Sequence, residues 1–229
     1  MTVHLAMEVE KLKKRLLQLG ALVEERLREA VAAFQNRDEA AAARVVAGDI
    51  EVDRMEVDLE EDCLKVLALH QPVASDLRLI VSILKINNDL ERIGDLAVNI
   101  AERAEIAARR EACPIPFDLD RMAEDARTML KKSLDALVRR DAALANEVCR
   151  DDDEVDEINR GGYDRVMREI REHPDRTEML LYSLSVARQL ERIADHATNI
   201  AEDVIYMLQG KIVRHGQGTP PAPDAKPAG

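Results

Sequence analysis

The chain is written in steps of three and four. Apolar residues fall at Leu12, Leu16, Leu19, Val23, Leu27, Ala30 and Phe34, a spacing that lines one face of a long α-helix. Asp38 stands where a second helix needs an N-cap. That helix carries Val45, Val52, Met55, Leu59, Cys63 and Val66. It is expected to stop near His70-Gln71-Pro72, because the residue before proline resists the α conformation. Pro72 then suits the first turn of a third helix. This one runs to about Arg110 on the stripe Ile83, Ile86, Leu90, Ile93, Ala97 and Ile100.

Pro114 and Pro116 break the chain, and the pattern starts again. A fourth helix holds Met122, Met129, Leu130, Leu134 and Leu137. A fifth starts near Asp141 and carries Val148, Val155, Ile158, Val166 and Ile170. Gly161-Gly162 lies inside it and is expected to loosen or kink it. A sixth opens after His173-Pro174 on Leu190, Ile193, Ala197, Ile200, Val204 and Met207. The helices are expected to be roughly 25 to 38 residues long, or about 38 to 57 Å at 1.5 Å per residue. After Gly210 the sequence turns to Gly, Pro, Ala and Thr, a composition that builds no core and predicts disorder.

The second half copies the first. Residues 90–102 read LERIGDLAVNIAE and residues 190–202 read LERIADHATNIAE, with three differences in thirteen positions. Arg37-Asp38 returns as Arg140-Asp141, and Val45, Asp49, Val52 and Asp53 return as Val148, Asp152, Val155 and Asp156. These earlier echoes sit 103 residues apart and the later ones 100, so the second copy is three residues shorter between its last two helices. The expected fold is all-α: two tandem three-helix bundles related by internal duplication, joined end to end. Residues 1–112 form the first, 113–210 the second, and 211–229 a disordered tail.

Composition narrows the function. Trp is absent, three Tyr and two Phe are the aromatic complement, and the cores must be aliphatic. The net charge of -12 and the lack of a long basic run argue against nucleic acid. An acidic surface suits cations or basic partners. Cys63, Cys113 and Cys149 are scattered and odd in number, which fits free thiols in a reducing compartment. No apolar run reaches the length of a membrane span, and the start lacks a signal-like stretch. The expected location is cytoplasmic.

The candidate chemistry is a stripe of acids. Glu91, Asp95, Asn99 and Glu102 step along the third helix, and Glu191, Asp195, Asn199 and Glu202 repeat the steps on the sixth. The second helix offers Asp49 and Asp53, and the fifth Asp152 and Asp156, each pair on one helix face. On a helical wheel Glu91 and Asp95 lie roughly 130° from the apolar stripe. The pairs therefore converge on the outer surface of each bundle if the helices are neighbours. Like charges about 4 Å apart repel by about 4 kcal/mol at an effective dielectric of 20. Arg92 and Arg192 supply part of the neutralisation. Oxygen ligands also suit Mg, Ca, Mn or iron. His196, beside Asp195, is a further candidate ligand. A solvated face laced with salt bridges is the plain alternative. A second alternative is a metal-storage or carboxylate-cluster metalloenzyme. Its buried di-iron form needs Glu-x-x-His motifs, and no histidine has a Glu three residues before it.

The doubled words carry a resemblance. LERIGD at 90–95 and LERIAD at 190–195, each followed by NIAE, and the run Gln71-Pro-Val-Ala-Ser-Asp-Leu-Arg78 resemble the PhoU family. The resemblance covers about residues 1–210. It implies a tandem of three-helix bundles and a cytoplasmic, non-catalytic negative regulator of phosphate uptake and the phosphate-starvation response. It implies an adaptor between the phosphate ABC transporter, through its ATPase subunit, and a sensor histidine kinase. Membrane association would come only through those partners. It also implies multinuclear iron or zinc sites, with manganese a further candidate from the oxygen ligands. Those sites fall on Glu91 and Asp95 with Asp49 and Asp53, and on Glu191 and Asp195 with Asp152 and Asp156. Exposed long helices suit a homodimer. Gln71, Asp76 and Arg78 are candidate partner contacts. Two departures suggest unequal sites: Gly94 becomes Ala194, leaving the second more open, and Asp89 becomes Gln189, leaving it one acid poorer.

Overall fold

The computed structural model describes residues 3–210; the 211–229 segment lies outside the described residues. Six helices follow in order: α1 (Val3–Asn36), α2 (Glu39–His70), α3 (Ala74–Ala108), α4 (Leu119–Arg139), α5 (Ala142–Glu172) and α6 (Thr177–Gln209). A single 3-10 turn at Pro174–Arg176 precedes α6. The starts follow local chemistry. The Asp38 side chain accepts from the Ala41 N–H at 2.9 Å. Asp141 accepts from Ala143 and Leu144 at 2.9 and 3.1 Å, and Asp118 accepts from Arg121 at 3.0 Å. Each satisfies an N–H that the first turn leaves without a helical partner.

Three expectations about the helices need correction. Pro72 is not in the first turn of α3. Gln71 adopts a left-handed φ of 44° and donates to the Leu67 carbonyl, which closes α2. Pro72 lies buried in the connection, and Val73, in extended conformation, precedes the helix. α5 runs unbroken through Gly161 and Gly162. Gly162 is a packing position, where a Cβ would lie 3.0 Å from the Phe117 ring. α4 has only 21 residues, shorter than expected, because the proline-bearing connection ends only at the Asp118 cap.

The largest correction concerns how the repeats join. They pack side by side, with α3 against α6 and α1 touching α4. α3 and α6 are antiparallel. Arg110 pairs with Glu178 at one end of the seam and Lys85 with Asp203 at the other, both at 2.8 Å. Gly20 permits the close approach of α1 to α4, since a Cβ there would sit 2.9 Å from Leu134. One continuous apolar core results. α2 and α5 are left on opposite flanks, each packed on its own repeat.

Candidate functional site

Each acidic pair on a flanking helix meets its partner pair on a central one. Val52 and Leu59 bury one face of α2 against α3 and turn Asp49 and Asp53 to the rim. Leu90, Ile93 and Ala97 do the same for Glu91 and Asp95 on α3. Gly94 sits at the crossing. A Cβ there would lie 3.1 Å from Val52 and 3.9 Å from the Asp49 carboxylate. The missing methyl thus brings the two helices together where the carboxylates gather.

The electrostatics record that convergence. Burial raises the Asp49 carboxyl above its ordinary range, and Asp53 and Asp95 raise it further. Glu91 is raised by burial and then by Asp95, while Arg92 opposes. Arg92 bridges Glu91 and Asp95 at 3.3 Å each, as expected of a neutralising cation. In the second repeat, burial pushes Asp152 up to about 6, with Asp195 and Asp156 adding repulsion. Glu191 and Asp195 are also raised, first by burial; Arg192 opposes both shifts. Asp152 is thus the most perturbed of these acids, and it belongs to the site expected to be more open. Ala194 fills the place of Gly94 and is fully buried.

The quartets are loosely spaced. Among the described residues, no three of their carboxylates bring oxygens within 4.8 Å of one another. The Glu91 Oε2 atom is closed to solvent and makes no hydrogen bond among the described residues, but it pairs with the Arg92 guanidinium at 3.3 Å. The only three-donor group within that distance among the described residues is Glu169, Glu172 and His173. Arg176 already pairs with Glu169 there at 2.7 Å.

The rest of the stripe divides. Asn99 and Glu102 continue along α3, half-buried and exposed respectively. Asn199 turns instead to the α3–α6 seam and donates to Asp89 at 3.4 Å. Glu202 borders the same seam, and on α5 burial first and Glu202 second push up the Cys149 thiol. His196 Nδ1 lies 2.8 Å from Asp89 Oδ1, tying the repeats together. The Asp89 carboxylate therefore serves the seam and not the first acidic site. Its replacement by Gln189 does not count as a ligand lost from the second.

Of the partner-contact candidates, Gln71 is the exposed cap of α2. The half-buried Arg78 packs near Gly210, and its Nε has no hydrogen-bond partner among the described residues. Asp76 edges an apolar groove of about 820 Å³ between α1, α3, α4 and α6, lined in part by Leu17, Leu79, Val138 and Met207. Sequence reasoning did not find this groove, because its wall comes from four helices of both repeats. It also missed the apolar corner between α2 and α3, where Leu69 and Val73 are 78% and 74% exposed. Adjacent apolar residues at a helix end were the available signal.

Fold and site together define a class: duplicated all-helical proteins that present paired carboxylates on both flanks. Comparison with known proteins gives the family. The PhoU domain model matches residues 16–104 and again 119–204. The phosphate-specific transport system accessory protein PhoU of Serratia marcescens is 36% identical over 92% of this chain and 87% of its own. The PhoU homolog of Pseudomonas aeruginosa is 38% identical over 91% and 86%. The crystal structure of PhoU from P. aeruginosa superposes with a TM-score of 0.87 at 37% identity, covering 90% of this chain and 99% of that one. The phosphate transport system regulatory protein PhoU from Streptococcus pneumoniae gives 0.82 at 27% identity, over 92% and 100%. The chain belongs to the PhoU family. No helix among the described residues is long and apolar enough to cross a membrane.

Proposed function

We propose that this protein is a non-catalytic regulator of phosphate uptake. In this reading it represses the phosphate-starvation response from the cytoplasm, as an adaptor between the ATPase subunit of a phosphate ABC transporter and a sensor histidine kinase. The observation that carries the reading is the match of both repeats to relatives named as accessory proteins of phosphate transport. The exposed Leu69 and Val73 and the groove beside Asp76 offer apolar surface for partners. Those surfaces and the long exposed helices also suit a homodimer.

The carboxylate quartets are proposed as metal sites for iron, zinc or manganese. Asp49, Asp53, Glu91 and Asp95 would hold one site; Asp152, Asp156, Glu191 and Asp195 would hold the other. Raised carboxyls crowded on one helix crossing fit a cation. A bound ion would cancel the repulsion within each quartet and so fasten α2 to α3 and α5 to α6. No reaction is assigned to it. The adaptor role is tested by deleting the gene and following phosphate uptake and starvation-gene output. Both should rise in phosphate-rich medium and fall again on complementation, and purified protein should bind the transporter ATPase or the kinase. Unchanged uptake with no binding to either partner would remove the reading.

A further inference from the structure

We propose that Glu56 is a fifth carboxylate of the first acidic site, set in place by Asn87, and that this site therefore takes a divalent cation more tightly than the second. The inference rests on reading the quartets as metal sites. Glu56 lies three residues after Asp53 on α2, on the same helix face. Asn87 lies four residues before Glu91 on α3. The Asn87 amide donates to both the backbone carbonyl of Glu56 at 3.0 Å and its Oε1 at 3.1 Å. That fork holds a long side chain against the flank of the site instead of letting it swing into water. Asn87 is 1% exposed.

Asn87 Oδ1 is closed to solvent and lacks a hydrogen bond among the described residues, whereas the equally closed Glu91 Oε2 faces the Arg92 guanidinium at 3.3 Å. Buried acceptors are normally satisfied. One left without a donor, a turn before Glu91 and beside grouped carboxylates, makes a patch that a cation would complete. The second repeat lacks both parts of the device. The equivalent of Glu56 is Asn159, and the equivalent of Asn87 is Ala187. The acid and its clamp are absent together. Cation affinity grows with the number of charged oxygen ligands, so the first site should fill first.

Full-length protein, freed of metal and titrated with Mn²⁺ by equilibrium dialysis, tests this. The expected result is two classes of site, the tighter lost in Asp95→Ala and the weaker in Asp195→Ala. Glu56→Gln keeps an acceptor for Asn87 and should weaken the tighter class about tenfold or more without touching the weaker. Asn87→Ala should weaken the same class by about 10- to 100-fold, the range for residues that orient ligands. Asn159→Glu with Ala187→Asn should tighten the weaker class. If Asn87→Ala fails to fold, Glu56→Gln alone decides. A Glu56→Gln isotherm identical to wild type, or two classes of equal affinity, would overturn the inference while leaving the quartets as metal sites. No Mn²⁺ uptake by the wild type would overturn both.

Discussion

The two repeats agree on their flanks and disagree along their seam. The apolar stripes and eight quartet carboxylates recur at matching places, apart from the Glu56–Asn87 addition. Across the α3–α6 seam the same places diverge. Lys85 pairs with Asp203 at 2.8 Å, while the mirror positions hold Ser185 and Arg103, joined at 3.3 Å. Asp89 meets His196, while their equivalents are Gln189 and Leu96, and the Gln189 Oε1 is buried without a hydrogen bond among the described residues. A two-fold seam between identical chains must use each contact twice. Once both copies lie on one chain, each half of the seam can change alone. The flanks kept their residues under some shared demand that the seam did not have.

The comparison can be broken at the core first. Leu90 and Leu190 are equivalent and fully buried. Leu90→Ala and Leu190→Ala should each cost about 2–5 kcal/mol. Because the core is continuous, each should give one shared unfolding transition in denaturant. Two separate transitions would show the repeats to be independent.

The seam comes next. Lys85→Ala takes the ammonium away from Asp203, 6% exposed, and from the Tyr206 ring 5.3 Å off. Charged hydrogen bonds contribute about 1.5–3 kcal/mol, so chemical denaturation should show a loss in that range. Ser185→Ala at the mirror position should cost no more than about 1 kcal/mol. Equal losses would mean that the seam is not polarised as described.

A smaller effect concerns pH. In the folded, metal-free protein Asp152 keeps its proton up to about pH 6, whereas an unfolded Asp loses it near 4. Between those values the folded state binds the extra proton. The contribution is therefore favourable at the acid end and is lost as pH rises through about 6. Asp152→Asn carries no charge to repel. It should melt close to wild type at pH 4.5 and a few degrees higher at pH 7.5, as followed by circular dichroism. An equal melting temperature at pH 7.5 would contradict the crowding assigned to Asp152.

Much of this was legible in the residues. The three-and-four spacing located every helix, and Asp38 marked a cap because a cap is a local event. The quartets were found because the second copy repeated the first. The side-by-side packing was not read, although α3 carries a signal for it. Ile80, Asn87, Gly94, Leu96, Ala101 and Ala104 are buried in addition to its main stripe. A helix apolar around most of its girth needs neighbours on more than one side. Reading the acids as one continuous stripe hid the turn of Asn199 toward the seam. The partner of His196 escaped the reading because Asp89 is 107 residues away in sequence. Glu56 escaped notice because the duplication was the guide, and the second repeat has no equivalent acid.

The measurement that reaches the central claim most directly is the metal content of purified protein by elemental mass spectrometry. Wild type should be compared with Asp95→Ala/Asp195→Ala, both prepared in medium supplying iron, zinc and manganese. Metal is expected in the wild type and its loss in the double variant, with the helical circular dichroism of both unchanged. Equal metal content in the two, or none in either, would contradict the assignment of the quartets as metal sites.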